Sequence, residues 1–168
     1  MGPIEQNSEL KEDTILSGER LYAEAIEIIL ASAQHNLCIF DQDLRHGEFS
    51  SLKKYELLRT FLSSHINSKL VIVLQDTNFF REKCPRLMEL LEAYGHKMTV
   101  FETNATVKHA KDCFILADDR HYIKRIHIDQ ARFRYAFDDA ITVDSLKLRF
   151  EELLEATQDS VSPTTLGL

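Results

Sequence analysis

Three short, mainly apolar runs constrain this chain more than any other feature: Leu37–Phe40 (LCIF), Leu70–Leu74 (LVIVL) and Met98–Phe101 (MTVF). Each is too short for a buried helix, and the first two end in polar turn residues, as a strand covered on both faces would. Amphipathic stretches separate them. Tyr22, Ala25, Ile26, Ile29, Leu30 and Ala33 recur at helical spacing before the first run, with Ser17 placed as N-cap. Tyr55, Leu58, Phe61 and Leu62 form one face of a helix over about 51–64. Leu87, Leu90, Leu91 and Tyr94 form another, opened by Pro85 in the first turn and closed by Gly95. Apolar strands alternating with such helices imply parallel pairing with both faces of the sheet covered.

The second half follows a different rule. CFILA (113–117) and RHYIKRI (120–126) are separated only by Asp118-Asp119, which predicts a tight hairpin and antiparallel pairing. ARFRYAF is expected to add an edge strand. A closing helix over about 143–157 presents Leu146, Phe150, Leu153 and Leu154. The fold class is therefore α/β, a mixed sheet with a parallel N-terminal half, an antiparallel C-terminal hairpin and helices on both faces. Residues 1–14 are expected to be a flexible arm, 15–157 a single domain and 158–168 a flexible tail.

Composition narrows the function classes. Twenty Lys and Arg against 27 Asp and Glu give a net charge of −7 over 168 residues, which argues against broad nucleic-acid coating. Cys38, Cys84 and Cys113 are widely spaced with no CxxC, so neither a disulfide framework nor a zinc knuckle is expected. The first residues lack the basic and apolar regions of a secretory signal, and no run approaches a membrane span. The expected location is the cytoplasm. The seven histidines contain no HExxH, and neither a metal nor another cofactor is expected.

Chemistry concentrates in three places. His109-Ala110-Lys111 precedes an apolar strand, and residues two apart on a strand share a face. An imidazole beside an ammonium can attack and neutralise a phosphodiester. Asp41-Gln42-Asp43 follows LCIF, where a DxD can hold Mg²⁺ and supply an aspartyl nucleophile, as in haloacid dehalogenase-like phosphatases. Thr77, Lys111 and the Asp118-Asp119 pair would complete that set, against which Arg45 stands where those phosphatases carry Thr or Val. The third place is Lys108–Arg134, net +3 in a chain otherwise −10. Strand alternation there puts Arg120, Tyr122, Lys124 and Ile126 on one face, and His121, Ile123, Arg125 and His127 on the other. Arg132 and Arg134 share a face, so only one of Lys124 and Arg125 can join them. Arg125 is the choice made on sequence, because His121 and His127 accompany it. These five residues are the expected anion site, and charges guarding an exposed sheet edge are the plainer alternative.

The order of these pieces resembles the phospholipase D-like superfamily. More closely, it is similar to a bacterial phospholipase D-like domain family of unknown function, sometimes fused to an acetyltransferase. The resemblance runs from about Ser17 to Thr157 and is carried by LCIFDQDL, LVIVLQD, FILADD and YAFDD ahead of FEELLEA. Active members carry HxKxxxxD followed by GSxN, in two copies supplied by a repeat or a dimer. Here the position seven after His109 is Leu116, and the acids arrive two residues later, at Asp118 and Asp119. Aligned without a gap on Asp118, the His slot falls on Lys111 and the Lys slot on Cys113. No GSxN follows. The resemblance therefore implies a non-catalytic domain with a degenerate HxK motif that binds an anionic ligand or a partner protein. It also implies a possible homodimer, and a partner domain of acetyltransferase type. A phosphodiesterase or nuclease using His109 and Lys111 across the homodimer is the alternative, and a Mg-dependent phosphatase using Asp41 and Asp43 is a third.

Overall fold

A computed structural model describes residues 9–163. Eight strands form one sheet in the order β1-β7-β6-β5-β2-β3-β4-β8. The strands are β1 (Leu16–Ser17), β2 (Asn36–Asp41), β3 (Lys69–Leu74), β4 (Met98–Thr103), β5 (Phe114–Ala117), β6 (His121–His127), β7 (Arg132–Ala136) and β8 (Thr157–Ser160). The helices are α1 (Glu19–Ser32), α2 (Leu52–Ser64), α3 (Asn78–Lys83), α4 (Pro85–Ala93) and α5 (Ala140–Glu155). The β2–β3 and β3–β4 pairs are parallel, and every other pair is antiparallel. This is the expected mixed architecture, with the three apolar runs side by side as the parallel part of the sheet.

Alternation along β2 divides the core in two. Leu37 and Ile39 face α1, α2 and α4, whose Ile26, Ile29, Leu58, Phe61, Leu87 and Leu90 fill that side. Cys38 and Phe40 face α5, which supplies Val143, Leu146, Phe150 and Leu153. Complete burial of each large aliphatic or aromatic side chain is worth roughly 1.5–3 kcal/mol, so both layers contribute to stability. One face thus carries most of the helices; the other has α5 alone.

The hairpin between β5 and β6 turns on Asp118 and Asp119 with φ of 57° and 55°, and the Arg120 N–H donates to the Ala117 carbonyl at 3.0 Å. Two consecutive left-handed residues are what a primed hairpin turn requires, and Asp tolerates them better than most. The α2 cap is as expected, with Ser51 Oγ accepting from the Lys54 N–H at 3.2 Å.

Four expectations need correction. Helix α1 is entered from Gly18, not capped by Ser17: Gly18 takes φ 116°, Ser17 pairs with Arg132 in β1, and the Gly18 carbonyl accepts from Tyr22 N–H. The ARFRYAF strand is not an edge, because β1 flanks it. The segment after α5 does not leave the domain. Thr157–Ser160 pair with β4 and Val161 is buried, since the end of α5 delivers the chain beside an edge that still has free backbone groups. Likewise, of the arm expected over 1–14, residues 9–14 are tied down. Asp13 N–H donates to the Tyr135 carbonyl, Glu12 accepts from Phe137 N–H, and Leu10 packs against the core. Residues 1–8 and 164–168 lie outside the described residues.

Candidate functional site

The parallel strands β2, β3 and β4 end at one side of the sheet, where the 104–113 connection crosses to β5. Two glutamines hold that connection by its carbonyls. Gln42 Nε2 donates to Ala110 and Asp112 at 3.2 and 3.1 Å, and Gln75 Nε2 donates to Val107 and Ala110 at 2.8 Å each. Thr103 donates its hydroxyl to Gln75, and Lys108 Nζ donates to the Gln75 carbonyl. Arg149 of α5 clasps Asp112 with two bonds of 3.1 and 2.9 Å. No local signal marked Gln42, Gln75 or Arg149. Only their place at strand ends and on the face of α5 does.

His109 and Lys111 sit in this connection, ahead of β5 rather than on it, and both are exposed. The expected shared strand face is therefore absent, because the residue between them, Ala110, turns inward and its carbonyl serves both glutamines. Lys111 lies on the rim of a cavity of about 370 Å³ with His127, Asp129 and Gln130. Asp118 stands at the far end of β5. Its carboxylate accepts from the backbone N–H groups of Gln34, His35 and Asn36 at 2.7–3.2 Å and clamps the entry to β2.

Asp41 is 6% exposed. One of its oxygens accepts from Leu44 and Asp43 N–H at 2.6 and 3.1 Å, the other from the Cys113 thiol at 2.9 Å. Burial pushes its pKa up, against those three donors. Asp43 accepts from Arg45 N–H, and Thr77 donates to Glu102 at 2.7 Å while accepting from Arg81. The phosphatase set is thus not assembled: its members close turns or bond to other groups, and Lys111 and the Asp118-Asp119 pair lie at opposite ends of β5. Among the described residues, no three His, Cys, Asp or Glu side chains stand grouped as metal ligands would.

Behind Cys113 a buried polar line runs across the α1 face. Tyr22 Oη lies 3.4 Å from Cys113 Sγ, and the Arg125 guanidinium stacks 4.8 Å above the Tyr22 ring. Arg125 is 2% exposed; it meets both oxygens of Glu19 at 3.0 and 2.9 Å and donates to the His127 and Ile128 carbonyls. Burial works against its charge, and the Glu19 carboxylate more than offsets that, leaving its pKa raised. The hydrogen bond from Arg125 in turn lowers the pKa of Glu19. Burial, followed by the Asp41 charge, holds the Cys113 thiol well above its ordinary range.

The anion site expected around Arg125 is therefore corrected. Arg125 has no free donor face, and His121 is buried with Nδ1 accepting from the Asp138 N–H at 3.0 Å. Register places Lys124 opposite Arg134 and His127 opposite Arg132, with a bulge between Arg125 and His127. The cation that shares a face with Arg134 is Lys124. Tyr122, Lys124, Ile126, Arg134 and Thr142 line an open groove of about 410 Å³ beside α5. Lys124 and Arg134 are exposed, and neither side chain hydrogen-bonds or pairs with a carboxylate among the described residues. Asp13 and Asp139 act at the Tyr122 end, where they raise the tyrosine pKa after burial.

A mixed eight-stranded sheet of this order, with α5 alone on one face, is a fold that this chain shares with phospholipase D family structures. Nuc from Salmonella typhimurium, a phospholipase D family member, superposes with a TM-score of 0.65 at 10% identity, over 89% of this chain and 99% of its own. NucT from Helicobacter pylori gives 0.61 at 13% identity, over 86% and 96%. TrmBL2, an archaeal chromatin protein whose structure shows a novel mode of DNA binding, gives 0.65 at 12% identity over 86% of this chain. The chain spans about half of TrmBL2, 52% of its length. At these identities the likeness is one of fold. A family model described as a domain of unknown function (DUF7931) matches residues 19–162, and the chain belongs to that family. No curated protein sequence matches it. No helix among the described residues is long and apolar enough to cross a membrane.

Proposed function

We propose that this phospholipase D-like domain binds an anionic ligand and does not cleave it. The observation that carries the reading is the Lys124–Arg134 pair: two cations directly opposite across β6 and β7, in a groove and, among the described residues, without a carboxylate partner. Like charges at that separation are destabilising, so an incoming anion relieves a cost already present in the fold. Support for the absence of catalysis comes from the HAK segment. The His109 side chain makes no hydrogen bond among the described residues, so none of them fixes its tautomer or aims it, and Asp118, the acid nearest in sequence to the motif's third position, is engaged by three backbone N–H groups. The test is calorimetric titration with pyrophosphate. Lys124→Ala and Arg134→Ala are expected to weaken binding at least fivefold each, with affinity falling as salt rises. Bis-p-nitrophenyl phosphate is expected to stay intact with or without Mg²⁺.

A second reading, a phosphodiesterase completed across a homodimer, is favoured by one observation. His109 and Lys111 lie exposed on a connection that Gln42 and Gln75 hold in place. Turnover of that phosphodiester lost in His109→Ala would establish it and remove the first reading.

A further inference from the structure

We infer that the half of the α5-side sheet face left open by the helix docks an acidic segment of a partner protein studded with aliphatic side chains. The inference rests on the reading that Lys124 and Arg134 hold an anion, and it names what carries that anion.

Helix α5 packs across the sheet from β4 through β3, β2 and β5 to β6, and the sheet continues past it through β7 to β1. Along that margin, which no other element covers among the described residues, cations and exposed isoleucines stand near one another. Ile126 is 39% exposed and lines the groove two residues from Lys124. Ile15 is 48% exposed and directly precedes β1, whose Leu16 pairs with Phe133 and packs into the opposite core. Ile141 is 87% exposed and neighbours Thr142, the residue with which α5 closes the groove. Solvated aliphatics interleaved with unpaired cations suit a ligand that supplies both carboxylates and apolar side chains, which is a peptide.

A nucleic-acid strand fits this margin less well. Single strands are held by aromatic faces on which bases stack, and the groove's one aromatic ring, Tyr122, is buried to 2% exposure. A tracked phosphate backbone needs a run of cations, whereas the chain is −7 overall and Asp13 and Asp139 act at one end of the groove. The polarity that follows has the partner's carboxylates against Lys124 and Arg134 and its aliphatic side chains against Ile126 and Ile15.

The experiment uses the whole chain and three probes: a fluorescein-labelled peptide of alternating glutamate and leucine, labelled polyglutamate of equal length, and labelled oligothymidylate. The alternating peptide is expected to bind at least tenfold tighter than either of the others by anisotropy. Ile15→Ser with Ile141→Ser, neither of which lines the groove, is expected to weaken that peptide at least fivefold and leave pyrophosphate titration unchanged. Both sites are solvent-exposed, and circular dichroism verifies that the variant is folded. Polyglutamate binding as tightly as the alternating peptide, or an isoleucine variant that binds it undiminished, overturns the inference while leaving the anion site standing. Oligothymidylate binding more tightly replaces the protein partner with a nucleic acid. Failure of pyrophosphate to bind the unaltered chain removes the anion site itself, and the inference with it.

Discussion

Lys124 and Arg125 are adjacent on β6, both basic and both within the segment that carries the chain's positive charge, yet they stand in opposite situations. Arg125 points to the face covered by α1, where Glu19, the Tyr22 ring and two backbone carbonyls surround it. Lys124 points to the face that α5 leaves partly open, opposite Arg134 and without an acidic partner among the described residues. The closed face has turned its cation into structure; the open face has left two cations available. Basic residues in a strand therefore say little about binding until the cover over each face is known.

The sharpest way to break this comparison is to remove each cation in turn. Arg125→Ala is expected to lower unfolding stability by about 2–3 kcal/mol. It deletes a buried stem, a cation–π contact and bonds to carbonyls that no water readily reaches, while the half-exposed Glu19 it leaves behind can resolvate. Lys124→Ala should change stability by no more than about 0.5 kcal/mol. Urea unfolding of both variants measures the contrast, and similar losses from the two would mean that the faces are not energetically distinct.

Part of this was legible beforehand. Alternation alone separates Lys124 from Arg125, and the three apolar runs with their helices announce the parallel half of the sheet. The side on which Arg125 would be neutralised was not legible, because Glu19 lies 106 residues away and is brought to it only by the packing of α1 across β6. The bulge between Arg125 and His127 breaks strict alternation just where register would have been counted. The HAK spacing misled for a similar reason: Ala110 turns inward because the glutamines that directly follow β2 and β3 take its carbonyl, and those contacts are long-range. Strands β1 and β8 are too short and too polar to show a period, and tertiary pairing makes them.

Two carboxylates on the closed side sharpen the comparison through pH. The pKa of Glu19 is lowered by Arg125, so its contribution is present above the ordinary carboxylate range and is lost as pH falls through the lowered value. The pKa of Asp41 is raised by burial, so its contribution has the opposite sign: fully present below the ordinary range, and lost as pH rises through the raised value. The stability deficit of Glu19→Gln relative to the unaltered chain should therefore shrink between pH 6 and pH 3, and that of Asp41→Asn should grow. Both changes are expected to be smaller than the loss from Arg125→Ala. Parallel trends in chemical denaturation across that range would contradict the assignment of Glu19 to Arg125.

The smallest expected effect tests the open face most directly. Lys124→Glu places a carboxylate opposite Arg134 and replaces a cross-strand repulsion by an ion pair. Opposed charges at directly facing positions contribute roughly 0.2–1 kcal/mol, so this variant should be more stable than the unaltered chain although it alters a residue assigned to binding. It should also lose pyrophosphate affinity, because the new carboxylate occupies the position of the anion. Salt separates this from a propensity effect. At 1 M ionic strength the screening length falls to about 3 Å, shorter than the distance between facing side chains, and the stability gain should largely vanish. A gain that persists in high salt would place its origin in strand propensity and remove the argument that Lys124 and Arg134 repel. A loss of stability would mean that Lys124 already has a partner, and the open face would then be as settled as the closed one.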